Sequence, residues 1–282
     1  MEWRGRRQSR NIEDQRGASG GGGGGRGVGV GGVGLLAIVV VGWFFGIDLT
    51  PLLNGGGAPV SGSSARPDQA AGEFVGVTLA DTEEVWARVF QEQVGKPYHP
   101  VTLLLYSGVY PSACGDASGA TGPFYCPGDR KVYLDTDFFN TLSQDLGAQG
   151  DFAMAYVVAH EIGHHVQDEL GTLSKANTRR ARLSEAESNA ISVRVELQAD
   201  CYAGIWGRDA QQQFGSIQPG DFEEAVNAAK RIGDDTLQRN AGRVPAPDSF
   251  THGTSAQRSK WFQIGLKSGQ ISACDTFSAK NP

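Results

Sequence analysis

The chain has 282 residues, of which 39% are apolar and 20% charged, and its net charge is −6. This composition is typical of a folded globular protein and excludes a wholly disordered chain. Six of the 25 basic residues but only three of the 31 acidic residues lie within residues 1–26, so the remainder carries about nine net negative charges. That balance argues against a nucleic-acid partner.

The N-terminal region combines a basic tail with an apolar stretch. Residues 1–26 hold the six arginines and a glycine-rich run, which predicts a flexible tail. Residues 27–47 carry no charge and end in LLAIVVVGWFFGI, and since about 20 residues cross the hydrocarbon layer, they predict one transmembrane helix. The next basic residue is Arg66. This asymmetry predicts a single-pass protein of the cytoplasmic membrane with its N-terminus in the cytoplasm and the rest outside. A cleaved signal peptide and a buried core helix are the alternatives.

The region beyond the apolar stretch divides into a linker and a domain. Residues 48–73 are rich in Gly, Pro, Ser and Ala without periodicity, which predicts a flexible linker. Residues 74–282 are the predicted extracytoplasmic domain. A helix is predicted from residue 80 onward, with Asp81 or Thr82 as its N-cap, and strands are predicted at HPVTLLLYSG and KVYLD.

Four later segments have the apolar spacing and the end signals of helices. They are GDFAMAYVVAHEIGHHVQDELG, SEAESNAISVRVELQADCYAGIWG, DFEEAVNAAKRIG and TSAQRSKWFQIGLKSG. The second and fourth open with the capping boxes Ser184 to Glu187 and Thr254 to Gln257, and the second is expected to end at Gly207. Strands followed by helices predict an α+β domain that is mostly helical with a small sheet.

All four cysteines lie in the predicted outer domain. An even number in an oxidising compartment predicts two disulfides. Cys114 with Cys126 makes an easy local loop, which leaves Cys201 for Cys274. Buried free thiols are the alternative, and the absence of CxxC spacing argues against metal ligands.

The segment AHEIGHHVQ concentrates three of the five histidines. Four residues turn a helix by roughly 400°, so His160 and His164 project from one face and can share one cation. Glu161 lies one step round, close enough to act on a water beside that cation. This is the HExxH arrangement of zinc peptidases, whereas the alternative is a polar helix face with solvated histidines.

A catalytic zinc site needs a third protein ligand and an open position. The segment VELQADC places Glu196 and Asp200 one turn apart on an otherwise apolar helix, where buried carboxylates require a cation or donors. We therefore expect Glu196 to be the third ligand of one Zn²⁺, and Asp200 to hold a ligand imidazole. Two imidazoles and one carboxylate suit zinc. A solvated stripe is the alternative for both carboxylates.

A peptidase also needs a donor for the oxyanion that forms on the substrate. His252 is the first candidate and Arg258 the second, and a helix-capping or core role is the alternative for His252. His165 lies about 100° round from His164 and is not expected to join the metal. His99 is expected at the surface. A peptide substrate is expected to add an antiparallel strand to KVYLD.

Five stretches of the chain resemble the bacterial family of membrane-anchored neutral zinc metallopeptidases. They are MEWRGRRQSRNIEDQRG, SACGDASGATGPFYCPGDRKVYLDTDFF, AYVVAHEIGHHVQ, VELQADCYAG and SFTHGTSAQRSKWF. The resemblance implies a zincin-like domain outside the cytoplasmic membrane. It also implies zinc ligation by His160, His164 and Glu196, and catalysis by Glu161.

These patterns favour a membrane-anchored zinc endopeptidase that acts on a peptide or protein substrate and contacts the bilayer through one helix. The alternative is a non-enzymatic, zinc-stabilised binding or chaperone module in the same place. Glu161 favours the enzyme, because a structural zinc site needs no base beside its ligands. A scaffold that functions through its tether without zinc is a third alternative.

Overall fold

The computed structural model describes residues 1–17, 69–118 and 121–282. The predicted transmembrane helix at residues 27–47 and most of the predicted linker lie outside these ranges. Within the three ranges, no helix has both the length and the apolar character needed to cross a membrane.

The described residues form six strands, seven helices of seven or more residues, and several short helical turns. The strands are β1 (Ile12–Asp14), β2 (Thr102–Tyr106), β3 (Val109–Ser112), β4 (Gly115–Ser118), β5 (Phe124–Cys126) and β6 (Lys131–Asp135). The helices are α1 (Gln69–Val89), α2 (Asp151–Glu169), α3 (Thr172–Arg180), α4 (Glu185–Phe214), α5 (Asp221–Arg231), α6 (Asp234–Asn240) and α7 (Ser255–Ser268). The α+β prediction, mostly helical with a small sheet, is confirmed.

Two small sheets lie beside the helices. The larger has the strand order β1-β2-β6-β5, in which β1, β2 and β6 run parallel and β5 is antiparallel to β6. Strands β3 and β4 form a separate antiparallel hairpin. Apart from Asp135 at the end of β6, the buried positions of β2 and β6 are aliphatic or aromatic on both faces, as expected of a sheet covered by other structure.

The N-terminal segment differs from the predicted tail. Residues 1–17 lie on the domain, and β1 extends its sheet by pairing Ile12 with Leu103 and Asp14 with Leu105. Trp3 is only 8% exposed and packs edge-on against Phe74 of α1. This part of residues 1–26 is therefore structurally part of the domain.

Helix α1 begins earlier than predicted. It starts at Gln69, so the last residues of the predicted linker are helical, and the expected caps Asp81 and Thr82 lie in its interior. Asp81 accepts two hydrogen bonds from Arg6, and the Thr82 hydroxyl donates to the carbonyl of Leu79. Both polar groups are satisfied without capping, which explains why the local sequence signal was misleading.

Both predicted capping boxes are present. The box of Ser184 and Glu187 opens α4, and that of Thr254 and Gln257 opens α7. Helix α7 ends at Gly269 as predicted, whereas α4 continues through Gly207 to Gly215. Gly207 remains helical because aromatic rings from other helices pack against it and no positive φ is required there.

Helices α4 and α7 approach each other at two glycines. A Cβ on Gly265 would collide with the carbonyl oxygen of Cys201, and one on Gly204 would collide with that of Phe262. The disulfide Cys201–Cys274 joins α4 to the turn that follows α7, and Cys114–Cys126 closes the β3–β4 region onto β5. Both predicted disulfides are present, and Cys201–Cys274 connects the helix pair where α4 and α7 approach each other most closely.

We expect Gly265→Ala to destabilise the protein by about 1–3 kcal/mol, because the new methyl group forces two backbones apart. Chemical denaturation of the purified protein measures this loss. The matched control is Gly207→Ala, where a Cβ would make contacts of 3.4 Å and 3.6 Å with aromatic rings. This control should be neutral or gain about 0.5–1 kcal/mol from helix propensity. Equal stability of the two variants would contradict the close packing.

Candidate metal centre

Helix α2 supplies two imidazoles to one position. His160 and His164 lie one turn apart on the same face, and their ring centroids are 4.8 Å apart in an edge-to-face arrangement. Helix α2 begins directly after Gly150, whose φ of 106° turns the chain into the helix, and Asp151 lies in its first turn. The negative charge of Asp151 suits the helix N-terminus.

Helix α4 brings Glu196 to the same position. Its Oε2 lies 3.0 Å from Nε2 of His160, and its Oε1 lies 3.4 Å from Nε2 of His164. The three potential ligand atoms lie within 4.8 Å of one another. The structure therefore brings together all three residues that the sequence predicted as ligands.

Asp200 orients the His160 ring. Its Oδ1 accepts a hydrogen bond from Nδ1 of His160 at 2.8 Å and one from the Tyr156 hydroxyl at 2.5 Å. Arg258 of α7 donates to both carboxylate oxygens, from Nε at 2.9 Å and from Nη2 at 3.0 Å. Asp200 is fully buried, and Arg258 and His160 outweigh the effect of burial and lower its pKa. Nδ1 of His160 therefore carries a proton, which leaves Nε2, directed at Glu196, as the ring nitrogen that a metal ion would bind.

Gln167 orients the second imidazole and was not singled out in the sequence. Its Oε1 lies 2.9 Å from Nδ1 of His164, while its Nε2 donates to the carbonyl of Val195 at 2.7 Å. The second bond fixes which end of the amide faces the ring, so Nδ1 of His164 is the donor. The sequence held only one signal for it, a glutamine three residues after a candidate ligand and so on the same face of the helix.

The donor set fits a divalent cation. Although burial opposes protonation, Asp200 and Glu196 raise the pKa of His160 to about 10, and Glu196 raises the pKa of His164. Burial also opposes the charge on Glu196, but the two imidazoles hold its pKa well below the usual range. The position thus favours positive charge, and two imidazole nitrogens with one carboxylate form a donor set that suits zinc.

Glu161 lies beside this position without joining the ligand set. It is buried, and its Oε2 accepts a hydrogen bond from the backbone N–H of Tyr125 at 2.9 Å. Burial raises its pKa, an effect that the two imidazoles and the Tyr125 N–H partly oppose. A carboxylate in such a setting is suited to take and return a proton.

The two candidate oxyanion donors have different surroundings. His252 lines the same cavity as the imidazole pair, and its Nδ1 lies 3.2 Å from Oδ1 of Asp234. Asp234 also accepts from the backbone N–H of His252, and the ring remains 45% exposed. Although burial opposes it, the hydrogen bond to Asp234 raises the pKa of His252. Arg258 is instead committed to Asp200 and, through Nη1, to the carbonyl of Ile232, which makes it a positioning residue.

The other two histidines point away from the centre. His165 is buried between aromatic rings, with Nε2 2.7 Å from the carbonyl oxygen of His99. The His99 side chain is 70% exposed and pairs with Glu169. Both positions agree with the sequence analysis, which assigned neither residue to the metal.

The centre opens into a cavity of about 380 Å³. One wall is the segment 121–127, and α4 and the region around His252 form the opposite side. Apolar side chains occupy much of the remaining lining, including Phe138, Val157, Ile232 and Leu237. A short stretch of extended polypeptide is a ligand of suitable size and polarity for such a cavity.

The expected docking of a substrate on residues 131–135 is wrong. Strand β6 lies between β2, which pairs with all five of its residues, and β5, which pairs with residues 131–133, so β6 has no continuous free edge. The free edge belongs to β5, where the N–H of Tyr125 is used by Glu161 and the flanking Pro123 and Pro127 carry no N–H. The outward edge of residues 123–127 therefore offers carbonyl acceptors to a bound peptide and no free backbone donor.

A second group of carboxylates, formed by Asp151, Asp221 and Glu224, also clusters at the surface of the domain. The α-amino group of Met1 lies between two of them, 2.8 Å from Asp151 and 3.1 Å from Asp221. The ammonium group thus offsets one of the three negative charges of this cluster.

A pair of imidazoles and a carboxylate around one position, with a second buried carboxylate beside them, is the arrangement of residues found in zinc metallopeptidases. The chain belongs to the family described as "Putative neutral zinc metallopeptidase", whose model matches residues 1–277. It is 48% identical over 289 residues to "Uncharacterized protein YpfJ" of Escherichia coli strain K12, covering 98% of this chain and 99% of that protein. It is also 44% identical over 187 residues to "Uncharacterized protein Rv2575" of Mycobacterium tuberculosis, covering 63% of this chain and 62% of that protein. No solved structure matches the chain.

We expect Asp200→Asn to weaken zinc binding roughly 10- to 100-fold, because a neutral amide replaces the charged carboxylate that accepts from Nδ1 of His160. The variant should also unfold more easily, by about 3–5 kcal/mol, since Arg258 becomes an unpaired buried cation. Zinc competition with a chelator and denaturant unfolding measure the two effects.

The graded control is Tyr156→Phe, which removes one neutral donor to Asp200 and leaves both charges paired. It should cost about 1 kcal/mol and change zinc affinity little. An Asp200→Asn protein with unchanged zinc affinity would show that the carboxylate does not position the ligand.

Proposed function

We propose that this protein is a zinc-dependent endopeptidase in which Glu161 is the general base. The observation that carries the proposal is the convergence of His160, His164 and Glu196 from two helices on one position, with Glu161 beside it and outside the ligand set. A site that only stabilises a fold has no use for a buried carboxylate held next to its ligands. The arrangement corresponds to a zincin-like domain.

In this proposal His160, His164 and Glu196 hold one Zn²⁺. Bound zinc supplies Lewis acidity, which activates water and polarises a carbonyl group. Asp200 and Gln167 keep the two Nε2 lone pairs directed at the site, because each accepts the proton of the opposite ring nitrogen.

Glu161 takes a proton from the attacking water and returns it to the leaving amine. The Tyr125 N–H holds one carboxylate oxygen and leaves the other free for this transfer. Burial, which raises the pKa of Glu161, brings its basicity nearer to the operating pH. The carbonyl of Tyr125 is an acceptor for a backbone N–H of the substrate.

His252 donates a hydrogen bond to the oxyanion of the substrate in this proposal. Asp234 accepts a hydrogen bond from Nδ1 and raises the pKa of His252, so the protonated ring has a second N–H at the opposite nitrogen to donate. The partly exposed ring can reach a substrate in the cavity. Such a donor stabilises charge that develops only in the transition state.

The two disulfides support a location outside the cytoplasm, since such bonds persist in oxidising compartments. We propose that the domain acts on peptides or proteins outside the cytoplasmic membrane. We further propose that residues 27–47, which lie outside the described ranges, keep it at the bilayer.

We expect Glu161→Gln to lower the cleavage rate of an unfolded protein by about 10²- to 10⁴-fold while zinc content stays at one ion per chain. The amide keeps the size of the side chain but cannot accept the proton. A quenched-fluorescence assay with unfolded casein measures the rate, and atomic absorption measures the metal.

The matched control is Glu169→Gln, on the same helix but paired with Arg130 and His99 away from the cavity. It should cleave at the unaltered rate. If the natural chain binds zinc but cleaves no unfolded protein, the peptidase proposal fails and the non-enzymatic zinc-stabilised module is favoured. A Glu161→Gln protein with full activity would exclude Glu161 as the base.

We expect His252→Gln to reduce kcat by roughly 10²- to 10³-fold with little change in KM, because the lost hydrogen bond acts in the transition state. Zinc content should remain at one ion per chain. Steady-state kinetics on a cleaved peptide separate the two constants. A rise in KM alone would instead assign His252 to ground-state binding.

A further inference from the structure

Residues 1–17, called here the N-terminal arm, join the domain through its backbone. Strand β1 forms one edge of the larger sheet. The N–H of Leu103 donates to the carbonyl of Asn11 at 2.8 Å, and the N–H of Gln15 donates to the carbonyl of Leu105 at 2.8 Å. The arm thus pairs with a strand that lies near the middle of the domain sequence.

Side chains of the arm belong to the main apolar core. Met1 and Trp3 are each 8% exposed. The Trp3 ring lies 5.6 Å from that of Phe74 in an edge-to-face contact, and Phe74 packs in turn against Phe139. Removal of the arm would expose this face of α1 to water.

The arginines of the arm are paired with acidic residues of the domain. Arg6 makes two hydrogen bonds to Asp81, at 2.6 Å and 2.8 Å, and Arg7 lies 2.8 Å from Glu84. Asp81 is 4% exposed and lies in the interior of α1. Burial raises its pKa to about 6 even though Arg6 opposes that shift. Without Arg6, this buried carboxylate would lose both of the hydrogen bonds that it accepts from the arm.

Helix α1 has two glycines, one turn apart, where the arm crosses it. A Cβ on Gly76 would lie 3.1 Å from Oε1 of Gln8, and one on Gly72 would collide with the guanidinium of Arg16. The N–H of Ser9 donates to the carbonyl of Gly76 at 2.9 Å. Glycine inside a helix is unfavourable by itself, and here it makes room for the arm.

These contacts cannot exist across a bilayer whose hydrocarbon layer is about 30 Å thick. The arginines of the arm predicted a cytoplasmic N-terminus opposite an external domain, but two of them have partners in that domain. We infer that residues 1–17 and 69–282 lie on the same side of the membrane, with the arm docked on the domain. This arrangement is incompatible with the single crossing of the bilayer that the sequence predicted for residues 27–47. This inference does not depend on the proposed peptidase activity.

Cysteine labelling of the full chain in spheroplasts tests which side each part occupies. Arg10→Cys reports on the arm, where Arg10 is exposed. Val244→Cys reports on the domain, where Val244 is 88% exposed. A membrane-impermeant maleimide should label both variants to the same extent. If Val244→Cys is labelled from outside and Arg10→Cys only after permeabilisation, the inference is overturned.

A double variant tests the contact itself. The ideal Cβ at Gly76 would lie 3.3 Å from the Cβ of Gln8, close to the separation of about 3.5–4.5 Å in disulfides. Gln8→Cys with Gly76→Cys should therefore crosslink within one chain when cells are treated with diamide and quenched with N-ethylmaleimide before lysis. Each single variant is the control, and peptide mass spectrometry detects the product. A folded double variant with native disulfides and no such crosslink would contradict the docked arm.

The labelling experiment also separates this inference from the proposed location. If both cysteines are labelled only after permeabilisation, arm and domain share the cytoplasmic side. That result supports the inference and contradicts the extracytoplasmic location proposed above.

Discussion

The whole candidate centre depends on one buried carboxylate, that of Asp200. Its hydrogen bonds come from Tyr156 and His160 on α2 and from Arg258 on α7, while Asp200 itself belongs to α4. A buried negative charge is costly unless its donors are all in place. The three helices must therefore pack in one register before all of these groups are satisfied. The position of a ligand imidazole is then set by the core of the fold.

The two imidazoles are held by different chemistry. Asp200 presents a charged acceptor to His160, whereas Gln167 presents a neutral amide oxygen to His164. A carboxylate acceptor increases the basicity of its imidazole more than an amide does. The carboxylates of Glu161, Glu196 and Asp200 carry three negative charges, which Arg258 and one dication held by the proposed ligands would balance. Arg258 thus has an electrostatic role as well as a positional one.

The spacing of residues in the sequence predicted the structure correctly wherever it is determined by contacts between residues close together in the chain. The helical repeat places His160 and His164 on one face, and the capping box at Ser184 sets the start of α4. The role of Gln167 and the strand Ile12–Asp14 were not foreseen. A three-residue strand of sequence IED has too little alternation to be recognised, and it pairs in parallel with a segment about 90 residues away. Such non-local pairing leaves no mark on nearby residues.

The arginines of the arm show how one pattern supports two physical explanations. A rule that counts positive charges near an apolar stretch treats Arg6 and Arg7 as topological signals. In the folded protein these two arginines neutralise Asp81 and Glu84. The larger sheet also connects the arm to the candidate centre, because β1 is followed in the sheet by β2, β6 and β5, and β5 carries the Tyr125 N–H that binds Glu161. The arm closes one edge of the sheet and the candidate base is bound at the other. A position of the arm across the membrane would remove a strand from the sheet that shapes the cavity wall, so its charges are better explained by the domain they contact.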